Sequence, residues 1–167
     1  MEDRRAFFRS LVRPGLPPQE RNEPAILRPP YARDPSLFPS QCPGCETHAC
    51  VAACEEEIIV IRADKTPTLN LSERGCTFCE ACAEACEAGV LSPEEGVERI
   101  NALFRIDSRA CIAHHGTICF ACREPCLEDA ILFNGMFNPV IDEERCTGCG
   151  FCLGRCPTRA VHYEITG

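Results

Sequence analysis

The stretch Cys146-Thr-Gly-Cys149-Gly-Phe-Cys152-Leu-Gly-Arg-Cys156-Pro157 lies close to the C-terminus, and its spacing is C-x2-C-x2-C-x3-C-P. That spacing has a geometric reason. Three thiolates separated by two residues each can curl around one face of a [4Fe–4S] cubane and ligate three of its irons. A fourth cysteine one helical turn further on points away from that cubane and reaches a second one, and the proline after it opens the exit loop.

Upstream the pattern recurs. The first cysteines of four groups are Cys42, Cys76, Cys111 and Cys146, at periods of 34, 35 and 35 residues. Group one is Cys42, Cys45, Cys50 and Cys54; group two is Cys76, Cys79, Cys82 and Cys86. Group three is Cys111, Cys119, Cys122 and Cys126; group four is Cys146, Cys149, Cys152 and Cys156. In every group three residues separate the last two cysteines, and a short apolar or β-branched run follows. The runs are Glu57–Val60, Gly89–Leu91, Ala130–Phe133 and Ala160–Tyr163, each suited to a strand. Turn signals (Ala63-Asp64-Lys65, Asn134-Gly135) precede second runs at Pro67–Leu71 and Asn138–Ile141. Each unit thus reads as a loop with three cysteines, a short helix carrying the fourth, a strand, a turn and a strand. Repetition at such a period is a strong signal of repeated architecture.

Two such units face each other in a bacterial ferredoxin, so four units imply two domains. The expected fold class is α+β, with two tandem bacterial-type two-[4Fe–4S] ferredoxin domains at residues 41–100 and 101–167. A Pro- and Arg-rich N-terminal arm at 1–40 precedes them. The arm holds eight prolines and no cysteine. A short helix over Arg4–Val12 would align Phe7, Phe8 and Leu11. Beyond it proline and its preceding residues favour extended chain, either a loose leader or a strap that docks.

Sixteen cysteines in 167 residues, with no tryptophan, point to cohesion by metal or disulfides rather than by a large core. No apolar run is long enough to span a bilayer. Arg4-Arg5-Ala6-Phe7-Phe8-Arg9 superficially matches a twin-arginine export signal, but Ser10-Leu11-Val12-Arg13-Pro14-Gly15 is too short and too charged for the apolar region of one. The expected compartment is the cytoplasm. Residues 1–40 carry seven arginines against five acids, whereas residues 41–167 carry ten basic against twenty acidic groups. An acidic body argues against a nucleic-acid partner.

Disulfides conflict with that compartment. Zinc sites usually pair their ligands across a longer loop, often with histidine. Fours with two- and three-residue gaps suit a cubane, so [4Fe–4S] clusters, four of them, are the expected cofactor, with all sixteen cysteines as ligands. Groups two and four have the regular spacing. Group one has four residues between Cys45 and Cys50, and group three has seven between Cys111 and Cys119, insertions that cost little entropy. His48, His114 and His115 lie in them, as ligands or, more simply, as loop residues. Phe78, Phe120 and Phe151 sit between cysteines, as shields for clusters or as filling of a small core.

The simplest pairing is group one with two and three with four. Crossed ligation then unites Cys42, Cys45, Cys50 with Cys86, and Cys76, Cys79, Cys82 with Cys54. It likewise unites Cys111, Cys119, Cys122 with Cys156, and Cys146, Cys149, Cys152 with Cys126. A nested pairing, outer groups together and inner groups together, fits the intervening lengths of 21, 24 and 19 residues equally well.

Further residues carry a family resemblance: Arg4-Arg5, Arg28-Pro29-Pro30-Tyr31, Cys76-Thr-Phe-Cys79-Glu-Ala-Cys82 with Val90-Leu91-Ser92-Pro93 after it, and the wide gap from Cys111 to Cys119. Over nearly its whole length the chain resembles the NapF family of ferredoxin-type accessory proteins of periplasmic nitrate reductase systems. The resemblance implies a cytoplasmic iron–sulfur protein that contacts the catalytic subunit of the nitrate reductase before export and assists assembly of that subunit's own cluster. The residues themselves present no phosphate loop, no nicotinamide or flavin fingerprint and no nucleophile with a base, so the chain is expected not to be an enzyme. The rival readings are a soluble multi-cluster electron-transfer ferredoxin or electron-transfer subunit of an oxidoreductase, and a zinc-binding interaction module.

Overall fold

A computed structural model describes residues 25–166. The expected helix over Arg4–Val12 and its arginine pair lie outside the described residues. Helix and strand are mixed, and every element is short. Four helices, α1 (Leu37–Gln41), α2 (Ala49–Ala52), α3 (Ala81–Glu84) and α4 (Phe151–Arg155), span four or five residues each. Six strands form three two-stranded antiparallel sheets. β1 (Ile59–Ile61) pairs with β2 (Pro67–Leu69), with Ile59 opposite Leu69. β4 (Ile131–Asn134) pairs with β5 (Phe137–Ile141), with a bulge at Phe133/Asn134. β3 (Ala102–Ile106) pairs with the distant β6 (Val161–Ile165), Phe104 lying opposite Tyr163 with ring centroids 5.4 Å apart.

The strand–turn–strand unit therefore holds after groups one and three only. After groups two and four the chain does not turn back on itself. Val161–Ile165 crosses to the strand that precedes group three, and Leu91 forms a single bridge to Ala32, which precedes group one. In both places the partner is the segment that precedes the previous cysteine group, not the chain that follows. The short helices also stop before the fourth cysteine of groups one, two and four, since Cys54, Cys86 and Cys156 lie beyond α2, α3 and α4. Group three has a turn over residues 121–125 in place of a helix.

One backbone device repeats four times. The third residue after each fourth cysteine, Glu57, Gly89, Asp129 and Arg159, has positive φ, between +47° and +63°. This left-handed step turns the chain from the cysteine into the following strand, at some cost for the three that are not glycine. Just after it, backbone N–H groups reach back to sulfur: Leu91 to Cys86 Sγ at 3.4 Å, Ala130 to Cys126 Sγ at 3.4 Å and Ala160 to Cys156 Sγ at 3.2 Å.

Residues 25–38 are a strap built into the core. Leu27, Pro29, Pro30, Tyr31 and Phe38 are buried. Leu27 O accepts hydrogen bonds from Leu69 N–H (3.1 Å) and from the Thr68 hydroxyl (2.8 Å), along the free edge of β2. The Arg28 guanidinium donates to Thr66 Oγ1 and Pro67 O and lies 4.6 Å above the Phe38 ring. Tyr31 donates its hydroxyl to Phe78 O at 2.9 Å, and its ring meets the Phe78 ring edge-on. Thus Arg28-Pro29-Pro30-Tyr31 laces the β1–β2 hairpin to the loop of group two. Tyr31→Phe is expected to leave the Phe78 carbonyl short of a partner and to destabilise by about 1–3 kcal/mol. Tyr31→Ala adds a cavity and should cost about 3–5 kcal/mol, both read as lowered denaturation midpoints.

The main apolar cluster runs from Leu27 through Leu71 and Ile100 to Val161, and a small second one gathers Cys111, Ala113 and Ala160. Where the halves meet, Cys76 N–H donates to Cys149 O at 2.7 Å and Ile100 N–H to Thr147 O at 3.0 Å. No helix among the described residues is long and apolar enough to cross a membrane.

Candidate metal centres

The cysteines gather around four small cavities. One is lined by Cys42, Cys45, Cys50 and Cys86, another by Cys54, Cys76, Cys79 and Cys82. A third is lined by Cys126, Cys146, Cys149 and Cys152, and the fourth by Cys111, Cys119, Cys122 and Cys156. We label them A, B, C and D in that order. In each, three cysteines come from one group and the fourth from its neighbour, so groups one and two exchange their last cysteines, as do three and four. The exchange follows from the local fold. α2, α3 and α4 each begin beside a left-handed residue (His48, Glu80, Gly150) two positions before the third cysteine, which turns that thiol inwards. The three-residue step to the fourth thiol then carries it to the other side.

The insertions are absorbed locally. In group one a 3₁₀ turn, Cys42–Gly44, brings Cys45 N–H to Cys42 O, and His48 takes up the left-handed position that Glu80 and Gly150 hold elsewhere. In group three a 3₁₀ helix, Ile112–His115, ends at Gly116. His114 Nε2 lies 3.1 Å from Pro139 O and His115 Nε2 lies 3.0 Å from Arg109 O, and neither ring lines cavity D. His48 alone of the three lines a cavity, A. Phe78 lines cavity B, Phe120 packs on Phe133 at 4.8 Å, and Phe151 lies against Gly75.

The electrostatics of the quartets favour a positively charged guest. Burial first, and neighbouring thiols second, push Cys82 up to about 12. Burial likewise takes Cys50, Cys76 and Cys122 to about 11, and Cys152 further still. Cys156 differs: burial raises it, but hydrogen bonds from Val161, Thr158 and Ala160 bring it below the usual thiol value. Thiolates crowded into such places need cationic charge among them. Among the described residues no three His, Cys, Asp or Glu side chains converge on one point as ligands of a single ion do. The quartets surround a volume instead, which is the arrangement a cubane requires and a tetrahedral zinc ion does not.

The cavities are also in series. The thiol of Cys50 is close enough to raise that of Cys82, Cys149 to raise Cys76, and Cys122 to raise Cys152, which links A to B, B to C and C to D. The left-handed turns at Glu57 and Arg159 had no readable sequence signal; Gly89 and Asp129, residues that tolerate positive φ, were the visible part of that pattern.

Residues 139–162 match the model of the 4Fe-4S binding domain family, so the cofactor class is the [4Fe–4S] cluster. The chain is 34% identical over 142 residues to the ferredoxin-type protein NapF of Escherichia coli K12, covering 83% of this chain and 84% of that one. It is 30% identical over 140 residues to the ferredoxin-type protein NapF of Haemophilus influenzae, covering 81% and 77%. Ferredoxin-type protein NapG of Escherichia coli K12 is 28% identical over 188 residues, covering 92% and 80%.

Proposed function

The chain belongs to the NapF family of ferredoxin-type proteins, and from that premise we propose that it assists maturation of the catalytic subunit of a periplasmic nitrate reductase. In this reading it works in the cytoplasm, contacts the subunit's precursor before export, helps assemble that subunit's iron–sulfur cluster, and has no catalytic centre of its own. It comprises two ferredoxin-like halves and holds four [4Fe–4S] clusters, in the quartets of cavities A to D, with all sixteen cysteines as ligands. The observation that carries the reading is likeness to NapF over 83% of the chain, a span too long for either half alone.

The fit of the residues supports the cluster count. Each quartet supplies four thiols, and the backbone N–H groups of Phe78, Leu91, Ala130 and Ala160 donate to the sulfurs of Cys76, Cys86, Cys126 and Cys156, which stabilises charge there. When bound, the clusters supply one-electron capacity; the protein's own part is to hold them, exclude water with residues such as Tyr31 and Phe78, and present a surface. Because thiols held at about 11 to 12 are protonated at neutral pH, loading must release protons. Cluster reconstitution with iron and sulfide should therefore rise between about pH 7 and pH 9, followed by visible absorbance.

Anaerobic capture of tagged protein from nitrate-respiring cells tests the function. Recovery of the unprocessed, cluster-deficient catalytic subunit is the expected result, and recovery of only a reductase or a mature complex would contradict it. A second reading, an electron carrier, draws on the series arrangement of the cavities, and it predicts reversible reduction by a defined partner without precursor binding.

A further inference from the structure

The two ends of the cavity series differ in charge, and the internal repeat makes the difference measurable. Three positions recur in sequence beside the cysteines of every quartet: the residue after the third cysteine, the one before the fourth, and the third after the fourth. At A they are Val51, Ala85 and Gly89; at B, Ala83, Ala53 and Glu57; at C, Leu153, Pro125 and Asp129. At D all three are arginine: Arg123, Arg155 and Arg159. All three are exposed, and among the described residues none makes an ion pair or a side-chain hydrogen bond, whereas Arg33, Arg62, Arg74, Arg105 and Arg109 each face a carboxylate. Ile118, next to Cys119 of the same cavity, is 60% exposed. Exposed guanidinium groups, unpaired and beside an apolar position, are the composition of a protein contact.

Unpaired cations in a body with this excess of acid serve the protein's solubility poorly, and they flank the cysteines of one cavity of four. We propose that the exposed surface beside cavity D that carries these arginines is a docking surface for a partner protein that presents a carboxylate-rich patch. It rests on the reading of D as a cluster site only for its purpose, which is to bring that partner beside the end of the series; the docking itself depends on the arginines. Exposed charges at a rim act mainly on the rate of encounter and are screened by salt.

The probe is a fluorescein-labelled decaglutamate peptide, and the readout is anisotropy with the full-length holoprotein. Binding is expected, and it should weaken between about 20 mM and about 500 mM salt. R123Q/R155Q/R159Q should weaken it about tenfold. A52E/V60E/V97E, which changes net charge equally at exposed positions of the other half, should leave it within about twofold. Absence of binding to the wild type, or equal losses in both triple variants, would overturn the proposal. Iron per chain, measured on the same samples, reports the cluster reading separately, so a failure of one is distinguishable from a failure of the other.

Discussion

Gly96→Ala is expected to destabilise the protein by more than about 3 kcal/mol, as a methyl group forced into fixed backbone does. A Cβ at Gly96 would overlap the carbonyl group and Cα of Tyr31. That backbone cannot step aside. Tyr31 N–H donates to Val97 O at 2.8 Å, Tyr31 O accepts from Ser92 N–H at 2.9 Å, and the residue already has a φ of +64°. Moving it would also withdraw the side chain from Phe78 and cavity B. The measurement is the urea midpoint at which the visible absorbance bleaches, with Gly44→Ala as the comparison. A Cβ at Gly44 meets nothing within 4 Å, so that variant should bleach with the wild type.

The second large effect is expected at the junction of the halves. Three glycines permit the close approach there: a Cβ at Gly75 would lie 2.6 Å from Phe151 Cγ and 2.8 Å from Cys149 O, one at Gly154 2.7 Å from Glu73 O, and one at Gly150 2.8 Å from Leu71 Cδ1. Gly75→Ala therefore separates Cys76 from Cys149 and breaks the 2.7 Å hydrogen bond between them. Overpacking of this kind costs about 1–3 kcal/mol. Its more telling consequence is electronic. Electron paramagnetic resonance of the reduced wild type should show magnetic interaction between clusters, and Gly75→Ala should weaken it with iron per chain unchanged. A spectrum identical to wild type would contradict the link from B to C.

Much of this was legible in the sequence because ligand spacing is stiff. A thiol two residues from another has few places to go, so the four groups and the period of about 35 residues carry their meaning without tertiary information. Strand partners are another matter. Ala160–Tyr163 reads as a strand by composition, but Ala102–Ile106 has no such signal, and nothing local says that the two pair across some 60 residues. The strap was the least legible. Prolines at 24, 29, 30, 35 and 39 suggest chain that makes no core, and Arg28 with Tyr31 suggests a contact for another molecule. In the structure those two residues turn inwards, on Thr66, Phe38 and Phe78. The residues that betray it are the apolar ones among the prolines, Leu27, Tyr31 and Phe38, and the glycine at 96 that makes room for them.

This burial also changes what substitutions in the strap report. Loss of function in an Arg28 or Tyr31 variant would be a loss of packing near cavity B rather than of a partner contact, so the surface at cavity D is the better place to separate binding from folding.

The central claim is that neighbouring groups exchange their fourth cysteines, and two double variants test it by counting iron. With four clusters the wild type holds about sixteen irons per chain. Cys45 and Cys86 line one cavity, so C45A/C86A should lose a single cluster and retain about twelve irons. Cys45 and Cys54 belong to one group but line different cavities, so C45A/C54A should lose two clusters and retain about eight. The reverse order, with C45A/C86A the more depleted of the two, would mean that each group keeps its own cysteines and would contradict the account.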